Sequence, residues 1–269
     1  VGGAAARWRE RQSARGIPEH ILRAAPADPW TQVPADFAPP DVPADTPSRT
    51  AARALAERAA ARTCAGVSVL DVGCGGGDAS LAAAWPDLSP VARVVGLDRQ
   101  ADMLGVFAAA ARSRGIPYGT VRGSWPDAAE EAGRHDVVVC HHVLHNVVDL
   151  PPFLAALTGA VRGGGVGGGV VVEMLPEHPM AWLDPLWARF HDLHRPAPAT
   201  AEDAVAVLGE EFGITAQVHR WERERRLPHG PEWVARRLCL PAERVGEVAE
   251  ALATIPPRRT AAVTLVWTP

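Results

Sequence analysis

The sequence predicts an α/β fold in which an open, mainly parallel sheet carries helices on both faces. Two observations predict it. Strand-length apolar runs at 67–72 (VSVLDV), 91–97 (VARVVGL), 136–140 (DVVVC) and 170–174 (VVVEM) alternate with stretches of helical pattern. Runs this continuously apolar suit strands buried on both sides, as in a parallel sheet. The first run also breaks directly into GCGGG at 73–77, the mark of a strand turning sharply into a helix.

The elements follow in order. Residues 4–16 carry a helical pattern, and a second short helix begins after Pro18, whose fixed φ suits a first turn. Prolines crowd the stretch from 25 to 48, which sustains neither ladder and reads as an extended arm or lid, with Trp30 and Phe37 as its anchors. Residues 50–61 are alanine-rich around Leu55 and form a helix. After the strand at 67–72 and its glycine turn, Asp78 is placed to cap a helix beginning ASLAAAW. The strand at 91–97 ends at Asp98, and the helix at 101–114 stops at Gly115. A short strand at 118–122, the buried strand at 136–140, a helix at 150–161 and a glycine-rich turn at 162–169 lead to the strand at 170–174. Strict alternation ends there. A Trp-, His- and Pro-rich stretch at 176–199 holds one helix near 184–193. A helix at 202–212, a strand at 214–221, a helical insertion (231–237, then 241–253) and a final strand at 261–267 complete the chain.

Composition narrows the function. With 47% hydrophobic and 22% charged residues, the chain affords a large core and is not a disordered polymer. A formal net charge of −4 speaks against a broad nucleic-acid-binding face. The one concentrated basic patch, Arg220, Arg223, Arg225 and Arg226, alternates with acids and reads as a solvated strand end. No apolar run reaches the roughly 20 residues of a membrane span, so a soluble, cytoplasmic protein is expected. All 27 basic residues are arginine; Schiff-base chemistry on lysine and a lysine-bearing phosphate loop are therefore excluded. Four scattered cysteines, Cys64, Cys74, Cys140 and Cys239, form no CxxC pair and suit a reduced compartment, with no metal expected.

The segment that carries chemistry is VLDVGCGGGD at 69–78. A dinucleotide fingerprint requires glycine at 78, where Asp78 stands, and Asp71 at the strand end would repel a pyrophosphate. Asp71 suits a ligand bearing an ammonium group. Asp98, 21 positions beyond Gly77, is placed to accept hydrogen bonds from both hydroxyls of a ribose. Together these residues resemble the class I S-adenosylmethionine-dependent methyltransferases, over about 50–175. The resemblance implies a Rossmann-like, seven-stranded mixed sheet with strand 7 antiparallel, and S-adenosyl-L-methionine as cofactor, with S-adenosyl-L-homocysteine as product. It implies that Asp71 faces the amino group, that Gly73, Cys74 and Gly75 line the cofactor with backbone, and that Asp98 holds the ribose. Arg99 and Met103 would flank the adenine. Gly123-Ser124-Trp125 matches the adenine-edge position, although Ser124 stands where an Asp is common.

The fourth strand ends in CHHVLHN at 140–146, beneath the transferable methyl in such a sheet. Cys140 and His141 are expected against the cofactor. His142 and His145 are candidate general bases, since neutral imidazole accepts a proton near pH 7. His141 and His145 lack a third partner for a metal. The segment departs from the Asn/Asp-Pro-Pro-aromatic pattern of amino-methylating DNA enzymes and from the metal-binding aspartate of catechol-type enzymes. Trp182, Trp187 and Phe190, with His178, His191 and His194, follow the fifth strand beside the same crevice. The chain is thus divided into an arm or lid at 1–49 and a methyltransferase domain at 50–269, with insertions at 176–200 and 227–257 near the acceptor pocket. The expected activity is methyl transfer to an oxygen, nitrogen or carbon of a small molecule by a monomer or homodimer. An NAD(P)-dependent oxidoreductase and a non-catalytic cofactor-binding regulator are the alternatives.

Overall fold

One sheet organises the molecule. Its strands are β1 (Val67–Val72), β2 (Val91–Asp98), β3 (Tyr118–Arg122), β4 (Val137–His141), β5 (Gly169–Met174), β6 (Gln217–Arg223) and β7 (Thr260–Trp267). They lie in the order β3-β2-β1-β4-β5-β7-β6 in a computed structural model that describes residues 3–39, 45–62, 66–81, 91–165, 167–223, 230–255 and 260–269. The first five pair in parallel, and β7 runs antiparallel to β5 and β6. The order reverses between β1 and β4, the switch point at which open α/β sheets present a ligand crevice.

The helices are α1 (Ala4–Ser13), α2 (Glu19–Ala24), α3 (Pro47–Ala60), α4 (Ala101–Ser113), α5 (Ala129–Ala132), α6 (Leu150–Gly159), α7 (Asp184–His191), α8 (Ala201–Phe212), α9 (Pro231–Arg237) and α10 (Val245–Ala253). Successive β1 side chains feed opposite cores. Leu70 and Val72 join Trp8, Phe153, Leu157 and Leu208 of α1, α6 and α8 on one face. Val67 and Val69 join Leu55 and Phe107 of α3 and α4 on the other. A third cluster packs Ile21, Leu186, Trp187, Val234, Leu238 and Val248 together, so the two insertions and α2 form one small helical cap.

Most elements stand where the sequence placed them, and the departures have local causes. The helix expected from residue 50 starts at Pro47, because the Thr46 side chain accepts the Arg49 N–H and proline fits the first turn. The strand expected from 214 starts at Gln217, since Gly213 closes α8 in the left-handed region (φ 66°) and the Ile214 N–H returns to Leu208 O. Residues 76–81 form turns, and Asp78 pairs with Arg49 of α3 at 2.9 Å. The remainder of the helix expected after Asp78 lies outside the described residues, as do Cys64, Arg225 and Arg226. The start of the N-terminal segment is docked: Trp8 is fully buried, and its indole N–H donates to Val147 O at 2.8 Å. No helix among the described residues is long and apolar enough to cross a membrane.

Candidate functional site

Four strand tips converge at the switch point: Asp71 on β1, Asp98 on β2, His141 and His142 at the end of β4, and Glu173 on β5. Parallel pairing puts them there, since it aligns the carboxyl ends of neighbouring strands along one edge.

The glycine turn is held from within. Gly73 and Cys74 both donate their N–H to Leu97 O, at 2.8 and 3.0 Å, and Gly77 donates to Cys74 O at 2.8 Å. The Gly75 N–H donates to Asp98 Oδ2 at 3.1 Å. With these amides spent inside the protein, the turn offers a ligand its Cα atoms and carbonyls rather than a nest of donors. A phosphate group needs the donors. Glycine is required here. Gly73 sits at φ 70°, and a Cβ on it would collide with a Val143 methyl. At Gly76 a Cβ would run into the carbonyl oxygen of Phe37, because the single-turn helix Pro34–Phe37 lies against the turn.

Asp71 is 1% exposed. Its Oδ2 accepts the Ser80 hydroxyl at 2.5 Å, while Oδ1 is buried with no hydrogen-bond partner among the described residues. Burial pushes its carboxyl up to about 7, and the nearby charges of Asp78 and Asp98 add to this. Such a group calls for a cationic partner. Asp98 is half-buried, and its Oδ1 accepts the Gln100 N–H at 2.9 Å. Each carboxylate oxygen has a second lone pair, so Asp98 retains acceptor capacity toward a diol.

The other expected contacts separate. Gly123, whose N–H donates to Asp98 O at 3.1 Å, brings Ser124 beside the second strand tip. The Trp125 indole instead turns into the core, donating to Phe153 O at 3.2 Å. Arg99 is exposed, while Met103 is 2% exposed on α4. Cys74 and Cys140 are buried, and burial raises both thiols, so they serve as packing rather than as nucleophiles.

The histidines fall into two groups. His142 takes a left-handed backbone (φ 60°), uncommon for a side-chain-bearing residue. That turn brings its Nε2 to 3.0 Å from Glu173 Oε1, while His141 Nδ1 lies 3.8 Å from Glu173 Oε2. Burial opposes the charge on Glu173, but the His142 hydrogen bond, both imidazoles and the Ser48 hydroxyl outweigh it and hold the carboxyl below its ordinary range. Ser48 is itself fastened to Thr264 of β7, oxygen to oxygen 2.6 Å apart. Burial lowers His141 to about 4. His145 differs in kind. Its Nε2 accepts the Leu175 N–H at 3.1 Å, which leaves the ring proton on Nδ1, and burial followed by His178 and His142 lowers it to about 3. Its basic nitrogen is therefore occupied by backbone, which does not suit the base role expected of it. Glu173 escaped the sequence reading, although a lone carboxylate in VVVEM was the available signal. Among the described residues, no three of His, Cys, Asp and Glu gather to hold a metal.

The expected aromatic wall is largely cap core. Trp187 is 2% exposed, and His191 Nε2 lies 2.6 Å from Leu238 O.

Comparison with known proteins agrees with this geometry. Residues 69–165 match the family model described as a methyltransferase domain. A ubiquinone biosynthesis O-methyltransferase of Methylobacterium nodulans is 38% identical over 105 residues, 37% of this chain and 39% of that protein. Its counterpart from Cronobacter sakazakii is 35% identical over 119 residues, 44% of this chain and 46% of that protein. The matches thus span less than half of the curated relatives' length. A solved structure assigned as a sarcosine dimethylglycine methyltransferase from Galdieria sulphuraria shares the fold, with a TM-score of 0.51 and 13% identity over 82% of this chain and 84% of that one. Over residues 69–165 the chain is thus similar to a methyltransferase domain, and that segment sits in a seven-stranded sheet of order β3-β2-β1-β4-β5-β7-β6.

Proposed function

We propose that the protein moves a methyl group from S-adenosyl-L-methionine to an atom of a small molecule. One observation carries the reading: a buried, half-satisfied Asp71 and the strand-tip Asp98 flank a glycine turn in which the amides of Gly73, Cys74, Gly75 and Gly77 are spent internally. This arrangement fits an ammonium group at one end and a ribose at the other, and it disfavours the pyrophosphate of a nicotinamide cofactor. Asp71 Oδ1 would accept from the ammonium, and Asp98 from the ribose hydroxyls. The faces of Gly73, Cys74 and Gly75 would line the chain between them, with Ser124 at the adenine edge.

S-adenosylmethionine, when bound, supplies a methyl group activated on a sulfonium centre. What remains for the protein is alignment, exclusion of water and proton removal. Glu173, 3.0 Å from His142 Nε2, orients that imidazole as the group that takes a proton from the acceptor. His145, bonded to the Leu175 amide, steadies the histidine loop. The cap formed by 176–200, 231–255 and α2 covers the acceptor side, and the Pro34–Phe37 turn covers the glycine loop. The names of the bacterial relatives support oxygen as the first acceptor atom to examine.

Calorimetric titration with S-adenosylhomocysteine and with NADH tests the reading. Micromolar binding of the first and none of the second is expected; the reverse would overturn it. Transfer of a radiolabelled methyl group to a panel of phenols, amines and activated carbons then separates an enzyme from a non-catalytic binder.

A further inference from the structure

Beyond His145 the site continues into a second polar cluster that methyl transfer does not use. The His145 and His178 rings stand edge to face, 5.9 Å between centroids. His178 Nδ1 accepts the Met180 N–H at 3.1 Å, so its Nε2 carries the proton. Burial, then the charges of Arg15 and Arg195, lower His178 to about 4, and it stands there as a neutral donor.

Behind it lie two guanidinium groups and one carboxylate. Arg15, 6% exposed, takes both oxygens of Asp184 at 2.8 and 2.9 Å and donates to Pro196 O at 2.6 Å. Asp184 is thereby committed. Arg195 lies over the Trp187 ring, 4.4 Å from its centroid, and its Nε and Nη2 are buried with no hydrogen-bond acceptor among the described residues. Those two atoms form one edge of the guanidinium, the edge whose parallel N–H bonds fit a carboxylate. Arg15 Nε is a further buried donor lacking an acceptor. The cluster holds one more positive charge than it neutralises, and buried donors in native proteins almost always meet an acceptor.

Resting on the methyl-transfer reading, we infer that the acceptor carries a carboxylate, received by the Nε–Nη2 edge of Arg195 with His178 Nε2–H beside it. The acceptor would then span the site, its acid end at Arg195 and its reacting end at His142. The aromatic face beneath Arg195 holds the guanidinium flat and limits its approach to one edge.

The test uses the whole chain and begins with S-adenosylhomocysteine binding, which decides the methyl-transfer reading independently. The protein is then titrated by calorimetry, with and without S-adenosylhomocysteine, against acetate, benzoate, 4-hydroxybenzoate, 3,4-dihydroxybenzoate and indole-3-acetate, each beside its amide. At least one acid is expected to bind tenfold or more tighter than its amide. R195Q is expected to erase that preference while keeping its affinity for S-adenosylhomocysteine, and R195K to keep part of it. Where R195Q fails to fold, the wild-type ratio and its reduction in R195K carry the test. Acids that bind no better than amides, no acid bound at all, or a preference that survives R195Q would overturn the inference. Carboxylate preference without S-adenosylhomocysteine binding would leave the Arg195 site standing and remove the methyl-transfer reading.

Discussion

Replacing Asp71 with asparagine separates stability from binding. In the folded protein its carboxyl is pushed from an ordinary 3.8 up to about 7, with burial as the main cause. Between those values the folded state holds a proton that the unfolded chain has released, so stability falls as pH rises across that window. At about 1.4 kcal/mol per pH unit, the ionised carboxylate costs the ligand-free fold about 4 kcal/mol at most above pH 7. The asparagine amide keeps an oxygen for the Ser80 hydroxyl and never ionises. D71N is therefore expected to be more stable than wild type at pH 8, by up to about 4 kcal/mol in urea unfolding, with the gain shrinking toward zero near pH 4. The same variant loses the charge that an ammonium group needs, and its affinity for S-adenosylhomocysteine should drop about tenfold or more. Wild-type affinity should rise about tenfold from pH 6 to pH 8 as Asp71 ionises, and D71N should show no such rise. A D71N protein that is less stable at pH 8, or whose gain is equal at pH 5 and pH 8, would refute the assignment of a strained, buried carboxylate.

Four other outcomes are expected. D98A should weaken S-adenosylhomocysteine binding by about 1–3 kcal/mol, and unchanged affinity in calorimetry would mean the ribose is held elsewhere. With the acceptor found in the transfer screen, H142A should lower kcat by about 10²–10⁴ and leave cofactor affinity unchanged. W8A should cost about 3–5 kcal/mol in denaturant unfolding, since a fully buried indole and its bond to Val147 are both removed. G76A sets a methyl group against the Phe37 carbonyl and should release that turn, read as faster proteolysis near residues 30–39.

The sheet was legible because its signals are local. Continuous valine runs, a glycine turn and an acid at the next strand tip each sit within a few residues of one another, and they placed Asp71 and Asp98 at neighbouring tips. The site beyond them depends on long-range contacts that no local pattern encodes. His142 and His145 look alike in HHVLHN, yet one meets a carboxylate from β5 and the other a backbone amide at Leu175. Trp125 follows Ser124 in a segment matched to the adenine edge, but its indole finds Phe153. The docking of α1 was hidden because its Trp8 is anchored by contacts from far along the chain.

Glu173 relies on Ser48, and Ser48 is pinned by Thr264, 216 positions away. A ribosome that has made the glycine turn and the tip of β2 has not yet made β7. The histidine–glutamate pair therefore gains its full support only when the last described strand has emerged and slid between β5 and β6. A chain halted before β7 would hold the glycine turn, Asp98 and both histidines, with Ser48 still lacking its Thr264 partner.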